Sequence, residues 1–581
     1  MLRSTRWLLS LAAAAVAFAA ADTYVVVMAL PEMMTSVGVP IDALQRAAPI
    51  ISGFLLGYVA MLPMIGRIAD LRGRVPVLLL ALVVFGLGSW VTALAYDLPS
   101  MVSGRFLQGV GGGALVPATM GMVADLYPVE RRGLPLGIVS GVQEIGSVLG
   151  PLFGALVLAV ADWRAIFFIN VAAGLVLAAA IRAAAPAQSS EDKGSRTRPD
   201  LVGLLLALLA LAASALVFVR PSALMADITW GAMFVPFSPG GSRWLTPIGA
   251  TTIVLSVLFL VWCAWARRPL VDVRGWGRSA VDADLIGSAL LALALGGIIL
   301  AFATADPEIQ VFSENGLWFL LGSAVAAALF AWHLRTTSRP LIPPGAFAAT
   351  PAWGSLIVSF FVGAALIAAL IDIPIFARTT IYPDSQLNAA LVLVRFLVAL
   401  PIGAVTGGYL LRKVPAGVVT AVGMALTVVG FVWMSRWGID ALRSWTATVP
   451  LVLGGLGFGL ALAPVNAAAL ASTTDDSHGL ASAMVVVTRM VGMLVGISAL
   501  TTLGLRAYYA AQSTIPPVTQ VCDGKSRCAA FNDLLREAGI AQEQTVFLGA
   551  AVCAAIAGVL ALVLFRTART RGGSTGVTFG L

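Results

Sequence analysis

Gly66-Arg67-Ile68-Ala69-Asp70-Leu71-Arg72-Gly73-Arg74 is a short charged segment set between two apolar runs, near residues 47 to 68 and 75 to 95. Each run holds about 20 apolar residues, which at ~1.5 Å rise per residue cross ~30 Å of hydrocarbon with every backbone group bonded inside the helix. Working outward, runs of the same kind recur near residues 8 to 30, 100 to 125, 134 to 160, 164 to 182, 200 to 219, 247 to 266 and 284 to 304. They continue near 316 to 334, 351 to 376, 387 to 408, 415 to 435, 446 to 470, 479 to 503 and 545 to 565, which makes sixteen with the first two. Composition agrees, with 59% hydrophobic and only 11% charged residues in 581. A water-soluble domain carries about a quarter charged residues, so the sequence predicts an all-α polytopic membrane protein.

The first run follows Arg3 and Arg6, is longer than a signal-peptide core and contains Asp22, so it reads as an uncleaved span. With the N-terminus inside, sixteen crossings return the C-terminus to the same side, and most of the 36 Lys and Arg residues then fall on the cytoplasmic face. Both termini are expected there. The formal charge of +8 reads as topology plus attraction to anionic inner-leaflet lipid, not as a nucleic-acid surface. Cys263 and Cys553 lie in spans, whereas Cys522 and Cys528 lie in the loop 504 to 544, assigned to the outside, where a disulfide is expected. His333 and His478 sit at span ends without metal-ligand spacing. There is no glycine-rich phosphate loop with a lysine, which argues against an ATP-driven pump and leaves no cofactor to expect beyond a proton gradient.

The spacing divides the chain into six spans over 1 to 182, a linker region with about four more over 183 to 350, and six over 351 to 581. Two six-helix halves place a substrate site between them and expose it alternately to each side. Segments 200 to 219 and 284 to 304 both begin with an aspartate and a leucine-rich run, which suggests a duplicated hairpin. The loop 220 to 246, with Trp230, Phe234, Phe237 and Trp244, reads either as an amphipathic segment suited to the outer interface or as a plain ordered loop.

Gly66, Asp70, Arg72, Gly73 and Arg74 resemble the loop signature of the major facilitator superfamily, with Leu71 where an arginine usually stands. The resemblance implies a conformational latch, and the physics is consistent: an aspartate at a membrane boundary can pair with an arginine or with a helix N-terminus in one state and lose that partner in another. In the fifth span Gly146, Gly150, Pro151 and Gly154 put glycines every four residues on one face, a stripe that permits close helix contact. It resembles the antiporter signature of exporters in that superfamily. The alternative reading is a structural packing stripe. Ala21 to Pro31, and Trp163-Arg164 with Phe168 to Val171, resemble the drug:proton antiporter branch, which usually has fourteen helices, and Arg105-Phe106-Leu107-Gln108-Gly109 is similar to the superfamily's fourth-helix motif. Phe396 to Gly408 and His478 to Gly492 look closest to actinobacterial triacylglycerol and multidrug exporters that work with a periplasmic lipoprotein. The resemblance thus implies a major facilitator fold of two six-helix halves with about four added central helices, sixteen spans or fourteen. It also implies residence in a bacterial inner membrane, a lipid or drug substrate, and a lipoprotein as possible partner.

Charged groups inside spans cost about 2.5 to 3.5 kcal/mol on insertion scales, so each is a functional candidate. They are Asp22, Arg105 and Glu144 in the first half and Asp372, Arg395 and Arg489 in the second. Glu144 lies about 160° around the helix from Gly146, so it faces a central cavity if the glycines face a neighbour. Asp22 and Glu144 are expected to carry the proton, with Arg489 as countercharge and Arg105 assisting. An interior ion pair that only fixes helix register is the competing reading. The functions left to compare are a proton-coupled exporter of hydrophobic or amphipathic compounds, a lipid transporter or flippase that hands cargo to an extracytoplasmic partner docked on the tail of the fifteenth span and the loop 504 to 544, an importer of the same fold, and a membrane-embedded acyltransferase, for which no catalytic histidine or carboxylate pair stands out.

Overall fold

A computed structural model describes residues 2–39, 44–128, 131–185, 200–238, 242–267, 269–303, 315–383, 385–522, 528–568 and 570. Most of the linker 183 to 199 and part of the loop 504 to 544, at 523 to 527, lie outside the described residues. A first set of helices comprises α1 (Leu2–Ser36), α2 (Leu44–Arg72), α3 (Arg74–Ala93), α4 (Leu98–Leu126), α5 (Gly133–Leu158) and α6 (Arg164–Ala184). A middle set comprises α7 (Leu201–Val219), α8 (Pro247–Trp265), α9 (Val273–Asp282), α10 (Leu285–Ala303) and α11 (Gly316–Thr336). The last set comprises α12 (Thr350–Thr380), α13 (Gln386–Leu410), α14 (Ala416–Met434), α15 (Thr448–Leu470), α16 (His478–Gln512) and α17 (Ala529–Leu564).

Fourteen of these helices are long and apolar enough to cross a membrane. The two other long helices are α1, which carries a shorter apolar run over Trp7–Thr23, and α5, and both pack into the same bundle. The tally is therefore fourteen on apolarity alone and sixteen with those two added. Burial separates the layers: 83% of the apolar window of α4 and 72% of that of α15 is covered, against 22% for α7 and α8 and 17% for α11. Hence α4 and α15 line the centre while the middle set presents apolar faces outward, as a lipid-facing periphery does.

The first and last sets share one packing plan. In each, the third helix packs on the fourth, the second on the fourth, the first on the fifth and the third on the sixth. The halves meet along two seams that exchange these roles, α2 against α16 and α5 against α13.

The duplication suggested for the middle set is visible in its hydrogen bonds. Asp200 caps α7 by accepting from Gly203 N (2.8 Å) and also takes Leu270 N (2.9 Å) from the chain leaving α8. Asp284 caps α10 by accepting from Gly287 N (2.9 Å) and takes Leu341 N (2.9 Å) from the chain leaving α11. In both hairpins the clamped leucine follows a proline, and a ring nitrogen of the second helix completes the aspartate: Trp262 Nε1 at 3.0 Å in one, His333 Nε2 at 2.7 Å in the other. The α10 helix lies against both α2 and α16, beside one seam. In the loop 220 to 246, Trp230 and Phe237 are exposed, but Phe234 is buried and Trp244 packs on Phe218 at 5.6 Å. Half of that aromatic set therefore closes the hairpin and does not face an interface.

α16 and α17 span 35 and 36 residues, roughly 50 Å each, well beyond the ~30 Å of hydrocarbon. Their excess lies at the end joined through Cys522 and Cys528, which are disulfide-bonded with Cα atoms 5.5 Å apart.

Candidate functional site

The charged segment between α2 and α3 sits against the start of α16. The Asp70 carboxyl accepts N–H groups of Gly479 (2.9 Å) and Leu480 (3.1 Å), in the first turn of α16, and pairs with Arg74 at the same time. The positive end of a helix dipole and a guanidinium thus act on one carboxylate together, where the sequence reading offered them as alternatives. Arg74 also bonds Asp125 Oδ2 through Nε at 3.0 Å, and Arg67 Nη1 donates to Asp476 O at 2.9 Å. Gly66 and Gly479 are what allow this approach, because a Cβ on Gly66 would stand 2.7 Å from Gly479 O. Gly73, at φ 94°, turns the chain from α2 into α3. Arg72 departs from the expected cluster: it pairs with Asp272, stacks 4.4 Å over the Trp276 ring and reaches Ser279 Oγ at 3.4 Å, all on or beside α9.

Deeper in the first half, Asp22 of α1 is buried and fully engaged. Arg105 Nη1 bonds it at 2.8 Å, Gln108 Nε2 approaches both oxygens at 3.3 Å, and Asn170 Nδ2 of α6 donates to Oδ1. Gln108 in turn accepts from Arg105 (2.7 Å) and donates to Ser89 Oγ of α3 (2.8 Å). Arg105 is 1% exposed and lies 4.4 Å over the Phe54 ring. This network ties α1, α3, α4 and α6 together. The countercharge of Asp22 is Arg105 here, not Arg489 as the sequence reading had it.

Glu144 of α5 and Arg489 of α16 are charges from opposite halves. Both are buried, they interact electrostatically, and Tyr58 of α2 lies in the field of both. Among the described residues neither makes a direct ion pair, so this charge contact is looser than Asp22 with Arg105. Arg489 also lines a cavity with Ser359, Val362, Asn466 and Val485. Asn466 Nδ2 donates to Leu462 O at 3.1 Å while its Oδ1 has no partner among the described residues. Buried polar atoms left open beside a cavity are suited to a ligand's polar group.

The remaining intramembrane charges are separate. Arg395 is half-buried and donates to Thr448 Oγ1 at 3.2 Å. Asp372 meets Glu543 of α17, a residue just ahead of the last apolar run that the sequence reading did not single out. Gln108, Asn170, Asp125, Gly479 and Asn466 were likewise not assigned roles, although Gln108 and Asn170 lie inside motifs quoted above. His478 is buried, with Nε2 3.1 Å from Leu470 O, and no group of residues suited to a metal occurs among the described residues.

Residues 12–342 match the sequence profile of the Major Facilitator Superfamily, more than half of the chain and all of its first helix set except the first residues of α1. The chain belongs to the major facilitator superfamily. It is 34% identical over 506 residues to a triacylglyceride transporter of Mycobacteroides abscessus, covering 85% of this chain and 81% of that one. It is 32% identical over 567 residues to a triacylglyceride transporter of Mycolicibacterium smegmatis, covering 95% and 86%. Among solved structures, the proton:xylose symporter XylE aligns at a TM-score of 0.53 with 13% identity over 96% of this chain and 95% of that one. The human organic anion transporter MFSD10 aligns at 0.52 with 13% identity over 96% and 99%. These structures share the fold. The protein is a membrane transporter and not an enzyme.

Within this superfamily fold the glycine stripe of α5 has a clear packing role. A Cβ on Gly146 or Gly150 would strike the backbone of Ala17 or Ala21 on α1. Gly492 and Gly496 of α16 meet the backbone of Phe360 and Ala364 on α12 in the same way. The stripe therefore recurs at the first-on-fifth contact of both halves, and the packing alternative named for it accounts for its geometry. Pro151 and Gly154 continue the same helix.

Proposed function

We propose that this transporter is a proton-coupled exporter of hydrophobic or amphipathic compounds, triacylglycerol-type lipids first and drugs second, across a bacterial inner membrane by alternating access. The observation that carries the reading is the buried Glu144–Arg489 interaction across the two halves, in a bundle held at one end by Asp70. An ionised Glu144 attracts Arg489 and favours approach of α5 and α16. Protonation removes the attraction and lets the halves separate, so a gradient biases a two-state element. Asp22, held by Arg105, Gln108 and Asn170, is the second carboxyl of this route, and the Asp70 contact is the latch that is made or broken as the cytoplasmic end closes or opens. The lipid cargo is supported by relatives named triacylglyceride transporters that align over most of the chain. The outer ends of α16 and α17, joined by the disulfide, are the proposed docking element for a periplasmic lipoprotein that receives lipid.

The test is uptake of labelled triacylglycerol and of a cationic dye into inverted vesicles, with and without a proton gradient, for the wild type and Glu144→Gln. Gradient-dependent uptake that falls about tenfold or more in Glu144→Gln is the expected result. Uptake that ignores both the gradient and the substitution sinks the proposal.

A further inference from the structure

Asp372 on α12 and Glu543 on α17 are 5% and 1% exposed, and the two helices pack along one another. Their carboxyl groups act directly on each other. A carboxylate has only acceptor sites, so a bond between two carboxyls requires a proton on one of them. Two ionised carboxyls at that range inside a bilayer repel without screening, which leaves one shared proton as the stable state.

Other partners do not replace that proton. Glu543 Oε1 receives Gln542 Nε2 at 3.4 Å, and Oε2 receives no donor from any other described residue. The other charged and titratable groups on the surrounding elements, among the described residues, are Arg378 on α12, Arg395 and Tyr409 on α13, Arg436 after α14, His478, Arg489, Arg506, Tyr508 and Tyr509 on α16, and Asp533, Arg536, Glu537 and Cys553 on α17. α15 carries none. None of them enters the interactions of the pair. Asp22 differs on this point, since Arg105 neutralises it.

We propose that Asp372 and Glu543 form a second proton-binding site, holding one exchangeable proton between the first and last helices of the second half. The site deepens the proton-coupled reading above and rests on it for its role in transport, while the existence of the site does not. Loss of the proton puts charge between α12 and α17, and α17 also packs on α16, the helix that carries Arg489. Phe376 and Phe547, each one helical turn from a member of the pair, contact the Trp437 ring at 5.3 and 6.1 Å, and Gln544 Nε2 donates to Trp437 O at 2.8 Å. Trp437 therefore packs over the site.

The experiment is infrared difference spectroscopy of the full-length protein in lipid nanodiscs, titrated from mildly acidic to strongly alkaline buffer. The variants are Asp372→Asn, Glu543→Gln, the double variant and Glu144→Gln. The amide replacements keep volume and hydrogen bonding, and an unchanged thermal-unfolding midpoint at fixed pH verifies that the packing survives. The expected result is a protonated-carboxyl C=O band that disappears on alkalinisation in the wild type and in Glu144→Gln and is lost from the double variant. A band that persists unchanged in the double variant belongs elsewhere and overturns the proposal. So does a wild-type band assigned to the pair that does not respond to pH, because that pair is a fixed structural contact. Failure of the proton-coupled reading shows separately, as gradient-independent transport with this band intact.

Discussion

Gly146 and Gly150 of α5 rest on α1, and Gly492 and Gly496 of α16 rest on α12, so the two halves can be laid over one another residue by residue through these contacts. Three residues before the first glycine, the first half has Gln143 and the second has Arg489. Thirteen residues before it, Gly133 meets Gly408 on one seam and Gly479 meets Gly66 on the other. Four residues past the seam glycine, one seam has Asp70, bonded to the start of α16, whereas the other has Arg412, exposed and 5.3 Å from the Tyr409 ring. Backbone contact is repeated between the halves and charge is not. The repeated part is what a rocking bundle needs on both sides, and the unrepeated part is where sidedness and coupling reside.

The sharpest way to break this comparison is to remove one arginine from each half. Arg105→Leu leaves Asp22 buried without a cation and is expected to cost about 3–5 kcal/mol, read by thermal unfolding in detergent. Arg489→Leu removes a charge with no direct ion pair, so it is expected to destabilise less than Arg105→Leu while gradient-driven transport is lost. Equal destabilisation by both would erase the distinction between a structural and a coupling arginine. Next in size is Asp70→Asn, expected to shift the closed state toward open by about 1–3 kcal/mol, measured as a longer spin-label distance across α2 and α16 at that end. The same labels across an unaltered Asp70 report the reference distance.

Arg412→Asp sharpens the comparison from the other side. It gives the bare seam a carboxylate near the start of α5 and is expected to stabilise closure by about 0.3–1 kcal/mol in the same distance measurement. The smallest effect belongs to Asp272, whose carboxyl is held below the usual carboxylate range, first by Gly275 N–H and then by Arg72. A carboxyl lowered on folding contributes above its unfolded value and loses that contribution as pH falls through the folded one. The α9 contact with Arg72 is thus expected to hold at neutral pH and loosen only in strong acid, with faster proteolysis around α9 in Asp272→Asn at neutral pH as the check.

Much of the scaffold was legible in the sequence because it depends on local patterns. The length of the apolar runs, the glycine and charge spacing around Asp70, and the repeated aspartate-leucine starts at 200 and 284 each report on a few consecutive residues. Partner choice was not legible. Asp22 and Arg105 lie 83 residues apart and meet only because α1 packs on α4, so the expected pairing with Arg489 was reasonable and different. Glu543 was missed because it lies just ahead of the apolar run 545 to 565, where a carboxyl reads as loop, although α17 carries it into a buried contact. Arg72 looked like part of the latch by position alone, and a distant helix, α9, took it.

The paired aspartate clamps of Asp200 and Asp284 carry one more consequence, which concerns parity. Each clamp ties the start of one helix to the chain leaving the next, so each hairpin departs from and returns to the same face. Such a unit can be copied without inverting anything downstream. A single added helix would turn the whole second half upside down, exchanging the ends that Asp70 and the disulfide mark. Growth by closed pairs lets a transporter acquire new lipid-facing surface while its pseudo-twofold machinery keeps its orientation.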